Sequence, residues 1–159
     1  TGLPEGQFDL IFLGGLCMYL NDDDVVDLLR SLQPKLTEGG AVVLRESTVP
    51  RLRRAATGDY GALYRTPADY HGLFHQAGFS GAETRRNFGY TAMEIAIEVV
   101  NARRRWLPFL PKRSALLGAM TWWSLRATTF LSFSALPRAL AFMGIAWPGL
   151  QNHFFRLRA

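Results

Sequence analysis

The stretch that most constrains this chain runs from Phe8 to Ser47, FDLIFLGGLCMYLNDDDVVDLLRSLQPKLTEGGAVVLRES, and reads as strand, helix, strand. Phe8 to Leu13 is apolar apart from Asp9, a pattern suited to a strand covered on both faces of a parallel sheet. Gly14 and Gly15 end it. A helix is predicted to start at Asn21 to Asp24, whose side-chain oxygens can accept from free N–H groups and whose charges suit a helix N-terminus. Val25, Leu28, Leu29, Leu32 and Leu36 keep one apolar face, Pro34 predicts a kinked last turn, and Gly39-Gly40 is expected to close the element. A second strand, Ala41 to Arg45, completes a right-handed βαβ crossover.

At these residues the chain resembles the second half of a class I S-adenosylmethionine-dependent methyltransferase. Phe8-Asp9-Leu10-Ile11 matches that family's fourth strand, Leu32-x-Pro34-x-Leu36-x-x-Gly39-Gly40 the following helix end, and Val42-Val43-Leu44 the fifth strand. Arg65-Thr66-Pro67-Ala68-Asp69-Tyr70 through Ala77-Gly78-Phe79 is similar to the next helix and its link to the sixth strand, expected at Gly81 to Arg86. Together the four pieces cover about half the chain. The resemblance implies an α/β fold, the C-terminal half of a Rossmann-like sheet. Gln151 to Arg158 alternates with period two and is read as the final strand, which in the family is antiparallel and beside the sixth. About sixty residues, including a helix over Ala92 to Arg105, then form a helical insertion before it. The expected division is residues 1–105 as the α/β part, 106–150 as a basic, Trp-rich insertion or lid, and 151–159 as the last strand.

The family's glycine-rich turn after its first strand has no counterpart in this sequence, nor has the acidic residue that holds the ribose. Glycines at 14–15, 39–40, 58–61 and 78–81 do not spell GxGxxG. The expectation is therefore a C-terminal part of a longer enzyme, binding S-adenosylmethionine weakly or not at all alone.

What the resemblance implies about the site can be placed residue by residue. Leu13, Gly14 and Gly15 fall where the family contacts the methionine end of the cofactor, although a strand-to-helix turn can need glycine for its own sake. Tyr19 falls where relatives carry an aromatic or histidine near the methyl acceptor. Glu46, after the fifth strand, is a candidate base for the acceptor's proton, with a salt bridge to Arg45 or Arg65 as the alternative. The loop Gly58 to Arg65 is similar to a segment of protein N-terminal amine methyltransferases, making Asp59 the second candidate base; the alternative is a polar turn residue. Tyr60 and Tyr64 are candidate pocket walls or core residues, and Arg65 a candidate holder of an anionic substrate group. Arg51-Leu52-Arg53-Arg54 reads as an exposed loop. The reaction implied is attack of an O, N or C nucleophile on the methyl sulfonium, with small molecule, glycan or lipid-linked substrates.

Charge is divided unevenly. Up to Glu98 there are 9 Lys+Arg against 13 Asp+Glu, net −4, whereas from Val99 onward there are 9 Lys+Arg and no acid, net +9. The basic part holds Trp106, Trp122, Trp123 and Trp147, with apolar runs interrupted by Arg113, Arg126 and Arg138. None of these runs reaches the roughly 18 residues a spanning helix needs, so short helices broken at Pro108, Pro111, Pro137 and Pro148 are expected. They are either a buried lid or an interfacial element giving peripheral membrane contact through residues 106–150. Nucleic acid is not the expected partner, because no recognised RNA-binding motif accompanies the arginines. A single cysteine, Cys17, excludes an internal disulfide and favours a cytoplasmic setting, at the membrane periphery if the tail docks there. No metal is expected: His71 and His75 share a helix face at i and i+4 but lie in no HExxH pattern. Two functional classes stay open, the methyltransferase part and a non-catalytic module that binds a membrane or anionic partner through its basic helices.

Overall fold

The computed structural model describes residues 5–51, 54–56, 61–111, 113–145 and 147–158, with 54–56 described by backbone alone. The chain divides into two compact units, Thr1–Arg86 with Asn152–Ala159, and Asn87–Gln151. The boundary lies at Arg86 and Asn87 rather than at residue 105, because the helix expected over Ala92 to Arg105 groups with the second unit.

In the first unit four strands form one sheet. These are β1 (Phe8–Gly14), β2 (Leu36–Thr48), β5 (Gly81–Arg86) and β6 (Gln151–Arg158), in the order β1-β2-β6-β5. β1 and β2 are parallel, and β5 and β6 antiparallel, with Gly81 opposite Arg158 and Arg86 opposite His153. This is the arrangement of the C-terminal half of a Rossmann-like sheet, with a helical segment inserted before the last strand. A two-stranded antiparallel pair, β3 (Arg54–Ala56) and β4 (Ala62–Tyr64), lies where the sequence suggested only loop.

Helix α1 (Asp22–Leu32) begins where expected: Asn21 accepts from the Asp24 amide at 2.8 Å, and Asp22, Asp23 and Asp24 put negative charge on the positive end of the helix dipole. Its buried face is Val25, Val26, Leu29 and Leu32. Pro34 falls in a 3₁₀ turn, Gln33–Lys35, that follows the helix directly. Helix α2 (Pro67–Gln76) starts from a capping box in which Thr66 accepts from the Asp69 amide and Asp69 accepts from the Thr66 amide. Tyr70, Phe74 and Phe155 join in an aromatic cluster, with Tyr70–Phe155 and Phe74–Phe155 centroids 5.1 and 5.3 Å apart. Leu29, Val42, Leu44 and Leu157 complete the core around it.

Two expectations are corrected. Gly39 and Gly40 do not close the helical element; they lie inside β2, where Phe8 opposes Leu36 but Leu10 opposes Ala41. Three extra residues on β2 make an irregular bulge, and Gly39 supplies its left-handed backbone at φ 77°. β1 is not covered on both faces either. It is the sheet's edge among the described residues, and while Ile11 and Leu13 pack on the core, Leu10 and Phe12 are 60% and 54% exposed.

The second unit is helical: α3 (Phe88–Trp106), α4 (Ala115–Ala127), and α5 (Leu136–Phe142) following a π turn at Leu131–Ala135. Asn87 and Ser114 cap α3 and α4 through hydrogen bonds from Tyr90 and Leu117 amides. Pro137 does not break the chain as expected. The backbone stays helical through Ala135 into α5, and the π turn at Leu131–Ala135, just before Pro137, is the irregularity that accompanies it. No described helix is long and apolar enough to cross a membrane.

Candidate active site

β1 delivers the chain to Gly14 and Gly15 at its carboxyl end, the edge at which ligands collect in open α/β sheets. The Gly15 amide bonds the Arg45 carbonyl at 2.8 Å, tying the turn to β2. Gly15 has φ 73°, and a Cβ placed on it would meet no atom of the described residues within 4 Å, whereas one on Gly14 would lie 3.2 Å from the Phe12 ring. The next residues form a 3₁₀ turn, Cys17–Tyr19, with Tyr19 52% exposed at its end.

Behind this turn lies a buried polar cluster. Glu46, in β2, accepts from the Cys17 amide at 3.1 Å and from the Tyr70 hydroxyl at 3.4 Å. Arg65 donates to the Cys17 carbonyl at 2.7 Å, the Leu20 carbonyl at 2.7 Å and the Asp22 carboxylate at 2.8 Å. The Cys17 residue is therefore held from both sides, by a carboxylate on its N–H and a guanidinium on its C=O. The backbone of Arg65 is fixed in turn, its carbonyl accepting from the Val49 amide at 3.1 Å beside the parallel bridge of Thr48 to Arg65. Nearby, Thr48 Oγ1 and His153 Nδ1 are 2.8 Å apart.

Burial governs the protonation of these groups. It raises the Glu46 carboxyl above its ordinary range, against the opposing bonds from Cys17 and Tyr70. Burial likewise raises the Cys17 thiol and the Tyr70 phenol, with the Glu46 charge adding to both. Cys17 is thus an inert thiol. His153 is pushed down to about 4, first by burial and then by the Arg86 charge, so its imidazole is neutral near neutrality.

Several expected roles change. Arg65 does not hold a substrate anion: its side chain is fully buried and committed to Cys17, Leu20 and Asp22. Glu46 is not presented at the strand end to deprotonate an acceptor; it is fully buried and spent on the chain's own donors, and the ion pair that Arg65 makes is with Asp22. Leu13 packs on the core at the end of β1, Gly14 and Gly15 follow it, Tyr19 is exposed at the end of the 3₁₀ turn, and Tyr64 is half-buried on β4. Asp59, Tyr60, Leu52 and Arg53 lie outside the described residues. His71 bonds Thr84 at 2.8 Å, and no cluster of His, Cys, Asp and Glu among the described residues is arranged to hold a metal.

No family model matches the chain, and no curated protein matches it. Among solved structures it is similar to a SAM-dependent methyltransferase of Leishmania major, 27% identical over 52% of this chain and 33% of that one, TM-score 0.45. It is also similar to Haemonchus contortus phosphoethanolamine N-methyltransferase 2 in complex with S-adenosyl-L-methionine, 15% identical over 94% of this chain and 33% of that one, TM-score 0.46. The third is the O-methyltransferase of a trans-AT PKS multienzyme of Brevibacillus brevis in complex with S-adenosyl-L-homocysteine, 13% identical over 99% and 46%, TM-score 0.48. The chain thus spans less than half the length of each.

Proposed function

We propose that the chain forms the acceptor-side part of an S-adenosylmethionine-dependent methyltransferase. In the longer enzyme it would transfer a methyl group to an O, N or C nucleophile of a small molecule, glycan or lipid-linked substrate. The observation that carries this is the turn at the carboxyl end of β1, where a Cβ on Gly15 would meet no described atom within 4 Å, while Arg45 holds Gly15 and Glu46 and Arg65 hold Cys17 behind it. At Gly15 such a turn lets a ligand approach the backbone, and its rigidity suits a reaction whose rate depends on holding donor and acceptor in line.

In this reading Leu13, Gly14 and Gly15 contact the methionine end of the cofactor, and Tyr19 borders the acceptor. Asp59 is the remaining candidate base, with Tyr60 and Tyr64 beside it. Glu46 and Arg65 are positioning residues, acting through the shape of the 17–20 turn. Hydrogen–deuterium exchange of the full-length protein, with and without S-adenosylhomocysteine, tests the assignment. Protection of amides 13–19 is expected; unchanged exchange there at saturating ligand refutes it.

A further inference from the structure

The second unit carries a surface that methyl transfer does not account for. Helix α4 has no polar side. Its thirteen residues, ALLGAMTWWSLRA, bury only Leu125, leaving Leu116, Met120, Trp122 and Trp123 exposed. Beyond them Trp106 is 79% and Phe142 95% exposed. A helix that is apolar all round normally lies in a core or in lipid. The hydroxyls of Thr121, Ser124 and Thr128 each bond a carbonyl four residues back, so they need no water. Arg126 lies over the Trp123 ring at 5.5 Å, a pairing that keeps the cation at an apolar boundary. At about 20 Å long, the helix is too short to cross the roughly 30 Å of hydrocarbon.

Charge selects the kind of surface. The second unit has seven basic residues against two acidic ones, Glu94 and Glu98, and none of its acids lies beyond Glu98. Arg103, Arg104 and Arg113 converge with Leu107, Pro108 and Leu110 on a cavity of about 450 Å³ at the end of α3. Arg103 gives one bond to the Pro111 carbonyl, at 3.3 Å, while its buried Nε has no hydrogen-bond partner among the described residues. Three like charges beside an apolar shelf fit an anion attached to hydrocarbon.

We propose that the second unit docks on an anionic lipid bilayer, with α4 and its exposed tryptophans lying in the interface and the Arg103–Arg104–Arg113 cavity receiving a lipid phosphate. The inference stands apart from the catalytic reading. The test is co-sedimentation of the full-length protein with vesicles of phosphatidylcholine alone, and of phosphatidylcholine containing phosphatidylglycerol, over a salt series. Binding to the anionic vesicles, weakening as salt rises, is expected, with a blue shift of tryptophan emission. The exposed pair Arg104→Gln/Arg113→Gln should bind about 30-fold more weakly, since each cation near an anionic surface contributes about fivefold. Trp122→Ser/Trp123→Ser should lose both binding and blue shift. The proposal is overturned if neither vesicle is bound, if inorganic phosphate binds and vesicles do not, or if a single-stranded oligonucleotide binds more tightly than the anionic vesicles. It is overturned equally if the tryptophan variant keeps full vesicle binding while losing self-association, which would make the face a contact between copies.

Discussion

Replacing Arg65 by methionine probes the rigidity of the candidate site, because methionine keeps much of the side chain's bulk but none of its donors. The substitution leaves the Cys17 and Leu20 carbonyls without their 2.7 Å partners and Asp22 without its cation. Removing one member of a buried charged cluster costs about 3–5 kcal/mol. The Asp22 side chain is 39% exposed, so its share is screened and most of the loss comes from the two carbonyls, at about 1.5–3 kcal/mol for each charge-assisted bond. A net loss of about 3–4 kcal/mol is expected in urea unfolding, a large part of the roughly 5–15 kcal/mol that holds a domain together. The loss has a local signature as well. The Tyr19 and Leu20 amides, which bond the Leu16 and Cys17 carbonyls, should exchange faster than the α1 amides behind them. Arg65→Lys, with a single compact cation, should restore only part of the stability. A loss below about 1 kcal/mol in Arg65→Met, with unchanged exchange in the turn, would refute the reading of Arg65 as the lock on this turn.

Other residues give independent checks. His153, held down to about 4 against an ordinary 6.5, binds fewer protons folded than unfolded, so stability present above pH 6.5 should be lost as pH falls toward 4, by up to about 3 kcal/mol. An NMR titration of its imidazole with a midpoint near 6.5 would contradict this. Glu46 has the opposite sign: its raised carboxyl favours folding below the unfolded value of about 4.3 and loses that contribution as pH rises toward the folded value. Glu46→Gln, which still accepts from Cys17, should therefore gain on the wild type as pH rises, and a constant difference across pH 4 to 8 in thermal melts counts against it. Gly40→Ala should destabilise by about 1–3 kcal/mol, since a Cβ would sit 3.0 Å from the Phe8 and Thr37 carbonyl oxygens; an unchanged unfolding midpoint would show that the bulge can yield.

The local pattern carried the order of the main elements but not the β3–β4 pair. Asn21 with three aspartates and the period-two alternation of 151 to 158 each announce themselves within a few residues, and the structure has a cap and a strand there. The site was less legible, because its bonds join distant positions: Glu46 to Cys17 across 29 residues, Arg65 to Cys17 across 48, and Thr48 to His153 across 105. A sequence window cannot distinguish an arginine that faces a substrate from one that holds two carbonyls inside. Gly39-Gly40 misled for a related reason. The same left-handed glycine that ends a helix also builds a bulge, and only the pairing with β1 decides between them.

The central claim is that the Gly14-Gly15 turn faces S-adenosylmethionine. Isothermal titration of the full-length protein with S-adenosylmethionine, comparing wild type with Gly15→Asn, tests it most directly. Asparagine tolerates the left-handed backbone of residue 15, and its side chain would start into space that the described residues leave empty around the Cβ. The account predicts binding by the wild type and at least tenfold weaker binding by a variant with an unchanged circular dichroism spectrum. Equal affinity in the two proteins, or no binding by the wild type, would contradict it.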